Sequence, residues 1–247
     1  MASSIAPNIV TDGLILYLDA ANTKSYPGSG TAWFDISGNN NHFTLYNSPT
    51  LNPSKYFTFD GIDDYARSTS TLNLSLYSAI TVLIWFQPLS YPSSGILDFI
   101  YEHTSNFNSN VGGFVHTYND TSLGQDYQIF LSNRGNAGYN LGVWNKTLFN
   151  NLTWKHSSAT IDTNQLSVEN TLYVNGNLTT ALSNPVPGYA SNNTNTFAND
   201  YFYVGTRGGA TYFSDMNISG IQIYNKVLTS QEILQNYNTT KTRFGLT

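Results

Sequence analysis

Asp12-Gly13-Leu14-Ile15-Leu16-Tyr17-Leu18-Asp19-Ala20-Ala21-Asn22, followed by Trp33-Phe34-Asp35-Ile36-Ser37-Gly38-Asn39-Asn40-Asn41-His42, is the stretch whose reading decides the fold. Leu14, Leu16 and Leu18 alternate with Ile15, Tyr17 and Asp19, the two-residue period of a strand with one face buried. A polar rim loop follows, and then a turn in which Asp35 is placed to hold Ser37-Gly38-Asn39. Working outward, Phe57 and Phe59 alternate with Tyr56 and Thr58, and Tyr127, Ile129 and Leu131 alternate with Gln128, Phe130 and Ser132. Ile80 to Phe86 is apolar on both parities, which predicts a central strand covered on both faces. Leu172 and Val174 run into Asn175-Gly176, the pair that a type I′ hairpin needs because both central residues take positive φ. Many short strands punctuated by Gly, Pro and Asn predict an all-β two-sheet sandwich.

One helix stands out. Thr229-Ser230-Gln231-Glu232 is a capping box, and Ile233, Leu234 and Tyr237 are expected to form its apolar face. No internal repeat or linker is visible. The expectation is a single domain over 1–247, with its core at about 12–238 and short tails. Segments 93–125 and 184–200 are rich in polar and turn residues and are expected as rim loops.

Composition narrows the function. Only 10% of the 247 residues are charged, against about 25% in ordinary soluble domains. Asn, Ser, Thr and Tyr supply the polar surface instead, which suits packing against neighbouring subunits or reading carbohydrate; the codon bias of an AT-rich genome explains the Asn excess equally well. The ten Lys and Arg are scattered and the net charge is −5, so no basic footprint for nucleic acid or an anionic membrane is present. Cysteine is absent, which removes disulfides and thiolate metal sites. The first eight residues lack the charged and apolar regions of a secretory signal, and the longest apolar run is too short to span a bilayer. The Asn-x-Ser/Thr sequons are as frequent as this composition supplies by chance.

Later blocks add a resemblance. Phe57-Thr58-Phe59-Asp60-Gly61-Ile62-Asp63-Asp64-Tyr65, Trp154-Lys155-His156, Leu172-Tyr173-Val174-Asn175-Gly176 and Ile218 to Ile233 follow one another in the order of the laminin-G-like, concanavalin A-like jelly roll. The chain therefore resembles that family, which implies a jelly-roll sandwich with a short C-terminal helix. The opening block, together with Gln235 to Leu246 at the other end, is similar to stand-alone domains of tailed-phage and large-virus structural proteins. That likeness implies a virion subunit, decorating a capsid or forming part of a tail or fibre. Its partners would be other virion proteins and copies of itself, and it would be made in the host cytoplasm. The alternative from the same family is a carbohydrate-binding adsorption module for host surface glycans, and a weaker one is a glycanase.

Each chemistry has candidate residues. Retaining glycoside hydrolysis needs two carboxylates about 5–5.5 Å apart, and Asp98 and Glu102 in Leu97-Asp98-Phe99-Ile100-Tyr101-Glu102 share strand parity. A nucleophile elbow and a His-x-x-x-His pair are both missing from the sequence, so the chain reads as a non-enzyme. His156 is expected as a packed strand residue. Family relatives that hold calcium use rim carboxylates, and Asp60, Asp63 and Asp64 are the candidates, with turn capping as their competing role. The loop aromatics suited to stacking on a sugar are Tyr26, Trp33, Tyr118, Tyr139, Tyr189 and Tyr212.

Overall fold

The computed structural model describes residues 8–90, 97–118, 128–135, 138–149, 152–165, 169–187 and 196–246. Two eight-stranded antiparallel sheets face each other. The first, called the helix-side sheet, runs in space as Asn177–Leu178, Asn170–Val174, Lys155–Asp162, Ala79–Pro88, Asp215–Tyr224, Phe57–Asp60 and Thr50–Leu51, with Leu14–Asp19 also paired to Asp215–Tyr224. The second, called the far sheet, runs as Gly138–Asn145, Gln128–Gly135, Phe114–Tyr118, Asp98–His103, Phe202–Val204, Tyr65–Ser68, Phe43–Tyr46 and Ala32–Trp33.

The alternation in the sequence decides which side chains meet between the sheets. Leu16, Leu18, Phe57, Phe59, Val82, Ile84 and Ile223 from one sheet pack against Trp33, Phe43, Leu45, Ile129, Leu131 and Phe202 from the other. Ala79–Pro88 is covered on both faces, as its double-parity pattern predicts. Ile80, Val82, Ile84 and Phe86 enter the main core, while Leu83 joins a second cluster with Tyr173, Tyr224, Leu228 and Ile233. Asn175 and Gly176 have φ of 52° and 77°, so the hairpin turn forms where its sequence signal lies.

The helix spans Ser230–Thr240, and its capping box is closed: the Glu232 N–H donates to Thr229 Oγ1 and the Thr229 N–H donates to Glu232 Oε2. The apolar-face expectation needs one correction, because Leu234 is 42% exposed. The stripe that meets the sheet is Ile233, Asn236, Tyr237 and Thr240, the i, i+3, i+4, i+7 set, and Leu234 lies off it. Asn236 is buried because it is spent on hydrogen bonds, accepting from the Val10 N–H and donating to the Tyr224 hydroxyl.

The rim-loop expectation for 93–125 is corrected too. Asp98–His103 and Phe114–Tyr118 are adjacent, buried strands of the far sheet, where the polar residues are paired across the ladder. Within 184–200, Asn199–Asp200 pairs with Leu72–Asn73 in a small third sheet.

Candidate functional site

The carboxylate pair fails its geometric requirement. The ladder between Asp98–His103 and Phe114–Tyr118 carries a register shift, so that Tyr101 faces His116 while Phe99 faces Thr117. Ile100 and Tyr101 consequently both enter the core, and parity reverses between them. Asp98 then lies opposite core-facing Tyr118, whereas Glu102 lies on the outer side opposite Val115 and Tyr203. Burial, and then the charge of Asp215, push Asp98 up to about 7. Burial also raises Glu102 to about 7, against the pull of Arg207 and of the Gly208 N–H that its Oε2 accepts. Two raised carboxyls on opposite faces cannot flank one glycosidic bond.

The histidines are interior side chains. His103 and His116 both face the core, lowered to about 4 by burial, with contacts to the Leu72 carbonyl and to Ser157 Oγ. His156 faces the helix, packs on Trp85 and Tyr237, and is lowered to about 3 by the same cause. Burial favours the uncharged ring in each case.

Asp60, Asp63 and Asp64 do come together, with one carboxylate oxygen of each within 4.8 Å of the others. Two of them also do the work of the turn. Asp60 Oδ1 accepts the N–H groups of Ile62 and Asp63, and Asp64 Oδ2 accepts the Asp60 N–H. Burial works upward on Asp60, but the backbone N–H groups of Ile62, Asp63 and Asp64 outweigh it and hold the carboxyl below its ordinary value. Burial and then Asp60 raise Asp64 to about 6. Calcium takes six to eight oxygens, and in this cluster one oxygen each of Asp60 and Asp64 is committed to backbone.

Three of the six candidate aromatics turn inward. Trp33 is fully buried with its ring against Phe57, and Tyr26 packs edge-on to the same Phe57 while its hydroxyl donates to the Gly30 carbonyl. Tyr118 is buried on Phe149. A ring closed off in this way offers no face to a sugar, so these three are corrected to core residues. Trp33 and Tyr118 lie at strand ends of the far sheet, and all three rings join the main core, where an apolar ring gains more than by standing in water. Tyr139 reaches solvent but is engaged by Phe107 and Arg134, and Tyr212, 38% exposed, leans on Phe99. Tyr189 lies outside the described residues.

A different set of rings forms an open groove of about 250 Å³, lined by Ser54, Tyr56, Trp154, Ser219, Arg243 and Phe244. Tyr56 meets Trp154 edge-to-face at 5.1 Å, and Phe244 leans on Trp154 at 4.5 Å and stacks on Trp85 at 4.1 Å. The C-terminal 3-10 turn Lys241–Phe244 brings Phe244 there. It is pinned by a bidentate pair from Arg243 to Asp19, with N–O distances of 3.0 and 2.7 Å. Asp19 is thereby a scaffold residue, as is Asp35, whose oxygens accept the N–H groups of Tyr17, Ser37 and Asn41. Sequence reasoning missed this groove because its parts lie about 100 and 90 residues apart. Trp154 carried the only signal, as a tryptophan just outside its strand.

Two facing antiparallel sheets with a docked C-terminal helix define a jelly-roll-type sandwich. Residues 59–234 match the family model described as the concanavalin A-like lectin/glucanases superfamily, and the protein belongs to it. No curated protein matches the chain significantly. Among solved structures it is similar to the botulinum neurotoxin serotype D binding domain, with a TM-score of 0.67, 16% identity, and 92% of this chain and 52% of that one covered. It is also similar to the binding domain of botulinum neurotoxin DC in complex with SialylT, with a TM-score of 0.65, 15% identity and coverage of 93% and 52%. The same domain in complex with rat synaptotagmin II gives 0.65, 14%, 93% and 52%. The chain spans about half the length of these structures. They are binding domains rather than enzymes, and at this identity the likeness is one of fold.

Proposed function

We propose that the protein is a carbohydrate-binding module whose ligand lies in the groove between Tyr56, Trp154 and Phe244. The observation that carries this reading is the groove itself: three aromatic rings, an arginine and two serines around about 250 Å³ of open space. That volume approaches the small end of ligand sites, roughly 300–1,000 Å³, and suits a short saccharide end. Ring faces take the apolar side of a sugar, while Ser54, Ser219 and the Tyr56 hydroxyl can hydrogen-bond its hydroxyls. The Arg243 charge is already balanced by Asp19, which favours an uncharged sugar at this place. The named structural neighbours are binding domains, two of them solved with a ligand or receptor, and this supports binding over catalysis.

The virion reading, with its particle partners and its location, rests on the resemblance of the chain's two ends to phage and large-virus proteins. The named neighbours add nothing to it, so glycan binding is the better supported function. A glycan array with wild-type protein should show specific binding, and Trp154→Ala should weaken it by about tenfold or more, ~1.4 kcal/mol, with the melting temperature within a few degrees of wild type. Tyr56→Ala serves as the second variant. A silent array, or binding untouched by both substitutions, rejects the groove.

A further inference from the structure

The outer face of the far sheet carries a second constellation. Phe43, Leu45, Ala66, Phe202 and Val204 point into the core, so the alternate residues Tyr46, Tyr65, Arg67 and Tyr203 share the opposite face. Tyr46 pairs with Tyr65 across the ladder and stacks on it at 4.5 Å with the rings 2° from parallel. Arg67 pairs with Tyr203. Its guanidinium lies 5.0 Å from the centroid of Tyr46 and 4.5 Å from that of Tyr201, and its Nη2 donates to the Tyr46 hydroxyl at 2.7 Å. Rings that approach from both neighbouring strands hold the side chain in one orientation, and Tyr46, Tyr65, Arg67 and Tyr201 all reach solvent.

The charge of Arg67 has no carboxylate within salt-bridge distance among the described residues. Lys226 is spent on Asp12 and Glu232, Arg243 on Asp19, and Arg207 acts on Glu102. Glu102, opposite Tyr203 on the same outer side, accepts the Gly208 N–H and is acted on by Arg207, and nearby Asp200 directs its oxygens to the Ser105 and Tyr201 N–H groups and to Asn110 Nδ2. Weakly hydrated, planar and held by aromatic rings, a guanidinium of this kind binds oxyanions with matched geometry. Loss of hydration over the rings strengthens that attraction.

We infer that Arg67, framed by Tyr46, Tyr65, Tyr201 and Tyr203, is a second binding site that takes the carboxylate or sulfate of an acidic saccharide. The oxyanion follows from Arg67. The saccharide follows from the stacked tyrosines and rests on the glycan-binding reading. This face lies on the sheet opposite the Tyr56–Trp154–Phe244 groove, so the protein would hold an acidic and an uncharged sugar at once, on opposite sides.

Titration of wild-type protein with 3′-sialyllactose, 3′-sulfolactose and lactose tests the inference by calorimetry. At least one charged probe should bind about tenfold or more tighter than lactose, and the one that does identifies the anion. Arg67→Gln should remove that preference. Arg67→Lys, which keeps the charge but loses the planar fork, should reduce it several-fold and covers the case in which the glutamine variant fails to fold. Trp154→Ala should leave the preference intact, which separates this site from the groove: array binding that survives Trp154→Ala and Tyr56→Ala, with an anion preference that Arg67→Gln removes, rejects only the groove. Equal affinity for all three probes, or a preference that survives both Arg67 substitutions, overturns the inference.

Discussion

Glu102 shows how much one residue's neighbourhood decides. It is fully buried, one oxygen accepts the Gly208 N–H, and burial raises its pKa to about 7 despite Arg207. Its folded value therefore lies above the unfolded one of 4.5. The carboxyl is most favourable below pH 4.5, and its cost grows as pH rises through 7. Glu102→Gln keeps the acceptor and removes the charge, so it should stabilise the protein at pH 8 by about 3 kcal/mol, from the shift at 1.36 kcal/mol per unit. At pH 4.5 the gain should vanish, and melting curves of both proteins at the two pH values check this. The paired readings of Asp60 and Asp64 belong to the same scale. Asp64→Asn keeps an acceptor for the Asp60 N–H and removes a carboxylate crowded by Asp60, so above pH 7 it should not lower the melting temperature unless a cation is bound there.

Among the elements, the helix Ser230–Thr240 shows local signals and tertiary packing agreeing. Its start is written in Thr229 and Glu232, whose side chains satisfy backbone donors at the first turn, and Thr229→Ala should cost about 1 kcal/mol. In a domain of this size that lowers the melting temperature by roughly 2–4 °C, readable by calorimetry. The helix face was only partly legible, because Asn236 is buried by partners on other elements, the Val10 N–H and the Tyr224 hydroxyl. The strand Asp98–His103 makes the opposite point. Its polar residues read as a rim loop and its two acids as one face, and both readings yield to its place beside Phe114–Tyr118 and to the bulge in their ladder. A bulge leaves no residue signature that periodicity detects.

For the whole molecule, the buried titratable groups set the response to acid. His103, His116 and His156 fold neutral, with values of about 4, 4 and 3 against 6.5 unfolded, so stability falls as pH drops below 6.5. Asp64, Asp98 and Glu102 act in the other direction over much of the same range. Three groups oppose three, so the melting temperature should change little between pH 6.5 and 4.5. Below about pH 4, His156 still resists its proton, and Asp60, Asp200 and Glu232, all held below their ordinary values, lose their favourable charge. A steep fall in melting temperature there, followed by scanning calorimetry, is the expected result. The sequence by itself determined the two-sheet sandwich, the hairpin at Asn175-Gly176, the capped helix and the doubly covered strand Ala79–Pro88. Side-chain alternation, positive-φ turns and capping are local properties that a chain carries before it folds. Only the tertiary structure decided which rings plug the core and which stand open. Trp33 and Tyr26 close over Phe57, while Tyr56, Trp154 and Phe244 meet from three distant segments to make a groove. Exposure and convergence depend on what the rest of the chain places alongside, and no window of neighbouring residues contains that.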